Sequence, residues 1–139
     1  MDRIEPLVGA LFRVDIDGLA GAAAVEVVFP EGRIMPEGEK RMVRYGPLTI
    51  RRGLTGSPDW YEWWDRARAR APRAQATGIS RTVSVVLMDR SRTERQRWTF
   101  SNVVPIAYSV SPLNALSSAP LVESLELAVG GFDAAFALS

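Results

Sequence analysis

The chain has 139 residues, with 17 basic and 16 acidic side chains and a formal net charge of +1. This length fits a single domain, residues 1–139, with a hydrophobic core of its own. The near-neutral charge provides no long-range field for holding nucleic acid by its phosphates. Because the sequence has no cysteine and no histidine, disulfides, thiol catalysis, thiolate metal sites and histidine acid–base chemistry are excluded.

The first residues lack the features of a secretory signal. Asp2 and Glu5 stand where basic residues would be expected, and no long apolar run follows. The apolar runs elsewhere are too short to cross a bilayer. We therefore expect synthesis in the cytosol without a membrane anchor, with any export by lysis or as part of a particle.

Two strands are predicted near the N-terminus. Over residues 11–17 apolar side chains occupy every second position, which is typical of a half-buried strand. Asp17 and Gly18 favour a tight turn, since glycine accepts a positive φ without steric cost. A second strand, residues 23–29, can then pair back with the first as a hairpin.

The next segment, residues 30–41, is rich in proline, glycine and charged residues, which predicts an exposed loop. A strand follows over residues 48–52, and Gly53 closes it. The predicted strands on both sides of this polar segment indicate a β-rich chain.

One helix is predicted after this strand. Ser57 is a suitable N-cap, Pro58 suits the first helical position, and Pro72 ends the helix. Glu62 and Arg66 have the spacing of an ion pair one turn apart. Apolar side chains recur at i, i+3, i+4 and i+7, namely Trp60, Trp63, Trp64 and Ala67.

Three further strands complete the pattern. Residues 81–89 are apolar on both faces, which indicates a central strand. Residues 95–104 alternate, and Pro105 ends or kinks this strand. Residues 121–129 form the last strand before a Gly-Gly pair. The expected fold is mainly β, an antiparallel β-sandwich or open barrel with one flanking α-helix.

The edges of such a sheet need protection in a soluble protein. The predicted strands carry little proline or lysine that would block edge pairing. Pairing between copies of the chain is therefore a reasonable hypothesis on the residues alone.

Two groups of residues could in principle carry chemistry. Asp15 and Asp17 lie on one strand face, but a catalytic or metal site would need further partners, so a solvated face is favoured. Trp60, Trp63 and Trp64 could stack on sugars or bases. Their helical spacing favours core packing instead, although adjacent Trp63 and Trp64 cannot both point inward.

Two charged segments have alternative interpretations. The arginine-rich residues 66–73 could contact phosphate, but their neighbours Glu62 and Asp65 favour a solvated helix end or a protein interface. The second segment is a predicted charged turn, which is either a surface hairpin or a subunit contact. Its residues are Arg90, Arg92, Glu94, Arg95 and Arg97. Because no nucleophile elbow, phosphate loop, dinucleotide fingerprint, EF-hand or zinc motif is present, no enzyme activity is expected.

Six short segments, in the same order, are similar to motifs of the tail tube protein family of contractile phage tails and phage-derived contractile injection systems. They are residues 5–9 (EPLVG), 12–18 (FRVDIDG), 48–55 (LTIRRGLT), 98–102 with Pro105 (WTFSN and P), 113–115 (LNA) and 121–128 (LVESLELA). As in the family, a short helix containing tryptophan follows the third segment. The resemblance covers nearly the whole chain.

The resemblance implies a fold of two packed antiparallel sheets with a flanking helix. It implies homo-hexameric rings in which strands of neighbouring copies form one large barrel around a hollow lumen. Stacked rings would form a rigid inner tube within a contractile sheath, without a cofactor or metal. The implied partners are further copies, the sheath protein, baseplate and tail-terminator proteins, and cargo or DNA in the lumen. Assembly in the cytoplasm would precede incorporation into a phage virion tail or a released extracellular particle.

One segment departs from the family pattern. Family members carry a longer stretch between the second strand and the RRG strand, whereas here residues 26–30 are followed by a short loop. The chain could be a main tube subunit with a reduced loop, or a specialised initiator or terminal paralogue at a tube end. An alternative from another class is a monomeric β-barrel module that binds a small apolar or sugar ligand beside the tryptophan cluster.

The resemblance and the patterns together predict three sets of residues. A subunit or ring interface would include Glu31, Arg33, Met35, Glu37, Lys40 and Arg41. A sheath-facing helix surface would include Glu62, Asp65 and Arg66. The core would include Phe12, Val14, Ile16, Trp60, Trp64, Val85, Leu87, Trp98, Phe100, Leu125 and Leu127.

Overall fold

The computed structural model of the chain describes residues 11–19, 24–69 and 79–136. These residues form nine strands and one helix: β1 (Leu11–Ile16), β2 (Ala24–Val28), β3 (Gly32–Glu37), β4 (Lys40–Tyr45), β5 (Leu48–Gly53), α1 (Asp59–Arg68), β6 (Arg81–Met88), β7 (Glu94–Val110), β8 (Val122–Ala128) and β9 (Gly131–Phe136). The predicted mainly β fold, with antiparallel sheets and one flanking helix, is confirmed. Within the described ranges no helix is long and apolar enough to span a membrane.

Strand β7 joins two sheets because it bends. Its first half pairs with β6 and β9, and its second half pairs with β8. Sheet A is therefore β1-β6-β7-β9, and sheet B is β7-β8-β5-β2. The end strands of this path, β1 and β2, touch along a seam where the described residues form no ladder. The result is an open barrel.

Of the two predicted effects of Pro105, ending or kinking the strand, the kink is confirmed, because β7 bends in this region and continues to Val110. Asn102 has a φ of +51°, and the register with β8 shifts between Pro105 and Ala107, so a bulge accommodates the proline. Gly130 lies against this bend, where a Cβ would come within 2.8 Å of the Cβ of Asn102. Glycine therefore lets the chain bend alongside β7 and continue as β9, which the sequence patterns did not predict.

The expected hairpin between the first two strands is wrong. β1 pairs with β6, and β2 pairs with β5. The Asp17-Gly18 turn is a local signal, whereas the apolar residues of both strands are buried only by pairing with the strands that carry the rest of the core.

The expected loop over residues 30–41 is also wrong. The segment forms the hairpin β3–β4, in which Glu37 pairs with Lys40 across the turn residues Gly38 and Glu39. Gly38 has a φ of +60°, as the first turn position of a type II′ hairpin requires. The hairpin escaped prediction because nearly all of it is exposed, so it lacks a one-sided burial pattern.

The first helical residue is Asp59, one position later than expected. The N-cap is Pro58, and Ser57 makes no side-chain capping bond. Asp59 instead accepts a hydrogen bond from the backbone N–H of Trp60 at 2.8 Å. The helix carries the ion pair Arg68–Asp65 at 2.6 Å rather than the expected pair of Glu62 with Arg66. Pro72 lies outside the described residues.

The core fills the space between the two sheets and the helix. Seven of the eleven predicted core residues are buried: Val14, Ile16, Trp60, Val85, Phe100, Leu125 and Leu127. Four are only half-buried: Phe12, Trp64, Leu87 and Trp98. Trp63, not Trp64, is the second buried tryptophan of the helix, and its indole N–H donates to the carbonyl of Ile79 at 2.6 Å.

Candidate assembly surfaces

The β3–β4 hairpin has two different faces. Its register places Ile34 beside Val43 and Pro36 beside Arg41 on one face, and this face is largely apolar. Ile34 is 59% exposed and Val43 50% exposed. Free-standing apolar side chains of this kind are typical of a surface that a partner covers.

The base of the hairpin is fixed to the barrel. The Tyr45 ring packs edge-on against Phe132 of β9, with ring centroids 5.4 Å apart. The backbone N–H of Gly46 donates to the carbonyl of Glu31 at 2.9 Å. The hairpin therefore projects from a defined position at one end of sheet B.

The six predicted interface residues all lie on or next to this hairpin and are exposed. Arg33, Met35, Glu37 and Lys40 share the charged face, and Arg41 lies on the apolar face. Arg33 donates to Glu31 at 2.6 Å, and this hydrogen bond and the arginine charge lower the pKa of Glu31.

Sequence reasoning missed the apolar members of the hairpin, namely Ile34, Met42 and Val43. The signal that could have found them is a pair of apolar residues on each side of the Gly38-Glu39 turn, at positions 34–35 and 42–43, where the two strands of a hairpin would pair. Composition alone hid these pairs, because the segment as a whole is polar.

The opposite end of sheet B carries an uncharged loop, residues 111–121. Strands β5 and β7 run in the same direction, since both pair antiparallel with β8. The loop after β7 therefore lies at the far end from the hairpin before β5. Leu113 is 76% exposed and Leu116 97% exposed, and no charged residue occurs between Arg97 and Glu123.

Sheet B also has two open edges. One is β2, and the other is the second half of β7, which the described strands pair only with β8. The sheet face that points away from the core carries short or polar side chains. On the central strands these are Thr49, Arg51, Ser124 and Glu126, with Ala107 and Ser109 on β7.

A buried ionic cluster holds the helix against sheet B. Arg52 donates to Glu123 and to Asp59, and its guanidinium lies 4.2 Å from the centre of the Trp60 ring. The Tyr108 hydroxyl donates to the second oxygen of Glu123 at 2.7 Å. Elements β5, β8, β7 and α1 are thus tied together at one end of the barrel.

Burial and pairing act in opposite directions on the ionisation of this cluster. Burial lowers the pKa of Arg52, but hydrogen bonds to Asp59 and Glu123 outweigh it and the net pKa is raised. Burial raises the pKa of Asp59, but the hydrogen bonds and charge of Arg52 leave it lowered. Burial and the bond to Glu123 raise the pKa of Tyr108 to about 12. The shifts of Arg52 and Asp59 favour the ion-paired form, and that of Tyr108 favours the neutral hydroxyl that donates to Glu123.

The exposed part of helix α1 has two sides. Glu62 and Arg66 are exposed, and Asp65 is partly covered, so the predicted sheath-facing set lies on the outer surface. On another side, Tyr61 and Trp64 pack with Tyr108, with ring centroids 5.6 and 6.1 Å from that of Tyr108.

The residues weighed for chemistry have structural roles. Asp15 pairs with Arg13 at 3.0 Å, and the carbonyl of Asp17 accepts a bond from Arg81 at 2.7 Å. In the charged turn, Arg97 pairs with Glu94 at 2.9 Å. The part of residues 66–73 beyond 69 lies outside the described ranges. Those ranges contain no group of three or more acidic side chains placed to hold a metal ion.

Open sheet edges, an exposed apolar hairpin and an uncharged apolar loop at the opposite end are typical of the class of proteins that assemble with further copies of themselves. The family model of the T4-like virus tail tube protein gp19 matches residues 10–133. The chain belongs to this tail tube protein family.

Several solved structures share the fold. A chain of the anti-feeding prophage baseplate, a 6-fold symmetrised structure, is 20% identical with a TM-score of 0.66, over 96% of this chain and 98% of that one. A chain of the PVC extracellular contractile injection system, in its extended sheath-tube complex, is 15% identical with a TM-score of 0.68, over 95% and 93%. A chain of the anti-feeding prophage tube-terminating cap is 16% identical with a TM-score of 0.70, over 99% and 95%. Among curated proteins, no sequence is significantly similar to this chain.

Proposed function

We propose that this chain is the structural subunit of the inner tube of a contractile tail or injection system, forming stacked six-fold rings around a hollow lumen. Sheet B carries the proposal. It contributes four antiparallel strands and has open edges on both sides, β2 and the second half of β7. Because four is an even number, pairing β2 with β7 of the next copy keeps every neighbour antiparallel around a closed ring.

The two faces of sheet B suit such a ring. The face with Thr49, Ser109 and Ser124 would line the lumen, because it is polar and its long side chains, Glu126 and the ion pair of Arg51 with Glu26, are of both charges. The other face carries the core and helix α1, which would then lie toward the outside. Glu62, Asp65 and Arg66 are proposed to face the sheath protein from there.

The two ends of the subunit suit stacking. The apolar face of the β3–β4 hairpin lies at one end of sheet B, and Leu113 and Leu116 project at the other. Head-to-tail stacking would bring the hairpin of one ring onto the uncharged loop of the next, which buries apolar surface on both sides. Glu31, Arg33, Met35, Glu37, Lys40 and Arg41 would border this contact.

The named structures support the wider setting. The sheath-tube complex and the baseplate contain chains of this fold, in keeping with sheath, baseplate and terminator partners and with a place in a phage tail or extracellular particle after cytoplasmic assembly. A role without catalysis follows from the structural family. An end-of-tube paralogue is a second candidate, favoured by a hairpin of only six residues per strand and by the cap chain of the same fold.

The small-ligand alternative loses its main support. Trp60 and Trp63 are each 1% exposed, so neither offers an open ring face on which a sugar or apolar ligand could stack. Sedimentation velocity of the purified chain distinguishes the remaining functions. A main tube subunit gives rings and longer tubes, an end subunit gives rings that stop growing, and a binding module stays monomeric at every concentration.

A further inference from the structure

We propose that, in the ring, the side of helix α1 formed by Tyr61, Trp64 and Arg68 docks into the apolar seam between β1 and β2 of the next copy. This inference rests on the proposed ring and names a side-chain contact between neighbouring copies of it.

The seam contains an apolar cavity. Its volume is about 130 Å³, and it is lined by Phe12, Val27, Phe29, Val85, Leu87 and Trp98. Phe29 remains 41% exposed although its ring packs on Trp98 with centroids 4.6 Å apart. The cavity is apolar and lies at a seam where the described residues of β1 and β2 form no ladder. It is therefore suited to bind an apolar side chain.

The docking side of the helix has the composition of an interface centre. Tyr61 and Trp64 are three residues apart and Arg68 is four further, so all three lie on one side of the helix. Tyr61 is 41% exposed, and the Arg68 guanidinium lies 4.8 Å from the centre of the Trp64 ring. Tyrosine, tryptophan and arginine are the residues that most often dominate binding energy at interfaces.

One row of residues connects the two surfaces. Tyr108 pairs with Leu125, Leu125 with Ile50, and Ile50 with Val27. Tyr108, which the helix covers, and Val27, which lines the seam, are therefore the two ends of one row on the inner face of sheet B. When β2 pairs with β7 of the next copy, that row continues, and the neighbour's Tyr61 and Trp64 reach the seam.

The half-buried core residues support the same contact. Phe12, Leu87 and Trp98 line the seam, and Trp64 lies on the docking side of the helix. These are the four residues that their sequence pattern assigned to the core and that an isolated copy leaves partly uncovered. Docking would complete their burial, so the sequence pattern describes the core of the ring and not of the single chain.

A second copy is the occupant because the two surfaces match in charge as well as in position. The cavity lining is uncharged, and Arg68 is neutralised by Asp65 at 2.6 Å. Neither surface would bury an unpaired charge. Each copy carries one helix and one seam at opposite edges. In a closed ring every helix therefore docks into the seam of the next copy.

Cysteine cross-linking tests the contact cleanly, since the chain has no cysteine of its own. The double variant Phe29→Cys/Tyr61→Cys places the thiols at opposite edges of one copy, so a bond forms only between copies. Oxidation, or a short bis-maleimide, should give a covalent ladder on denaturing gels that reaches the ring size. The matched control is Val28→Cys/Tyr61→Cys, because Val28 is also exposed but points to the other face of sheet B. It should give no ladder.

Ring formation is measured separately on the unmodified chain by negative-stain imaging. If rings form and the Phe29/Tyr61 pair gives no ladder, or the Val28/Tyr61 pair links equally well, the docking is overturned and the ring stands. If no rings form, both proposals fall. In addition, Tyr61→Asp should abolish rings while leaving the circular dichroism of the monomer unchanged, and Tyr61→Phe should retain them. Rings that persist in Tyr61→Asp would also overturn the docking.

Discussion

Arg52 and Glu123 form an ion pair in which both side chains are almost fully buried, 4% and 2% exposed. Desolvating two charges is costly, and only close pairing with additional hydrogen bonds offsets that cost. Here Asp59 and Tyr108 supply those bonds. The pair therefore ties sheet B to helix α1, the two parts that the proposed ring brings together.

Replacing Arg52 should be severely destabilising. Arg52→Met leaves Glu123 buried without its partner, and we expect the free energy of unfolding to fall by about 3–5 kcal/mol in urea denaturation. The double variant Arg52→Met/Glu123→Leu should recover part of this loss, because Glu123 is no longer a buried unpaired charge, whereas Asp59 and the Tyr108 hydroxyl still lose their partners.

The neighbouring residue supplies the control. Arg51 pairs with Glu26 at 3.3 Å on the surface, with both side chains about half exposed. Arg51→Met should therefore change stability by less than about 1 kcal/mol. Equal losses in the Arg51 and Arg52 variants would show that the buried cluster has no special role.

The hydroxyl of Tyr108 predicts a dependence of stability on alkaline pH. Its pKa in the folded chain is about 12, raised from 10.0. Below pH 10 both the folded and unfolded chains keep the proton, and the contribution is intact. As pH rises from 10 towards 12 the unfolded chain releases its proton first, so stability falls. Tyr108→Phe should remove this part of the slope, and an unchanged slope in that variant would contradict the assignment.

The adjacent tryptophans of the helix should respond differently. Trp63→Ala removes a fully buried side chain and its bond to Ile79, and should cost about 3–5 kcal/mol of folding stability. Trp64→Ala removes a half-buried side chain and should cost less, about 1–2 kcal/mol, while weakening ring formation. The two variants need both a denaturation curve and a sizing measurement. A larger folding loss for Trp64 would contradict the burial pattern.

The apolar face of the hairpin should control stacking but not ring closure. Val43→Lys places a charge where the uncharged loop of the next ring would lie, so we expect single rings in place of tubes in electron micrographs. Arg44→Gln, on the opposite face, should leave tube length nearly unchanged. Tubes of normal length in the Val43 variant would exclude this face from the ring-to-ring contact.

Most of the strands could be predicted because alternation and burial agree in them. Val14, Val85 and Leu125 each lie on the apolar face of a strand that the structure also contains. The tryptophan spacing likewise located the helix. At these positions one face of a strand or helix packs on the core, so apolar residues recur in the sequence with the period of that strand or helix.

The remaining features of the fold depend on tertiary contacts or exposure, which the periodicity of the sequence does not show. The β3–β4 hairpin is exposed on both faces, so no burial pattern marks it. Strand β7 continues past Pro105 because the chain bends at Asn102 against Gly130, which lies far away in the sequence. The apolar spacing includes both Trp63 and Trp64, so it did not distinguish the buried Trp63, whose indole bonds to Ile79, from the half-buried Trp64. As for the candidate assembly surface, the predicted set consisted of charged residues and Met35, and it missed the apolar Ile34, Met42 and Val43.

The central claim is a ring closed through sheet B, and an electron cryomicroscopy reconstruction of the purified chain tests it most directly. The account predicts stacked six-fold rings in which β2 of each copy pairs antiparallel with the second half of β7 of the next, with Ser109 and Ser124 facing a hollow lumen. A monomer at all concentrations, or rings in which these two edges stay apart, would contradict it.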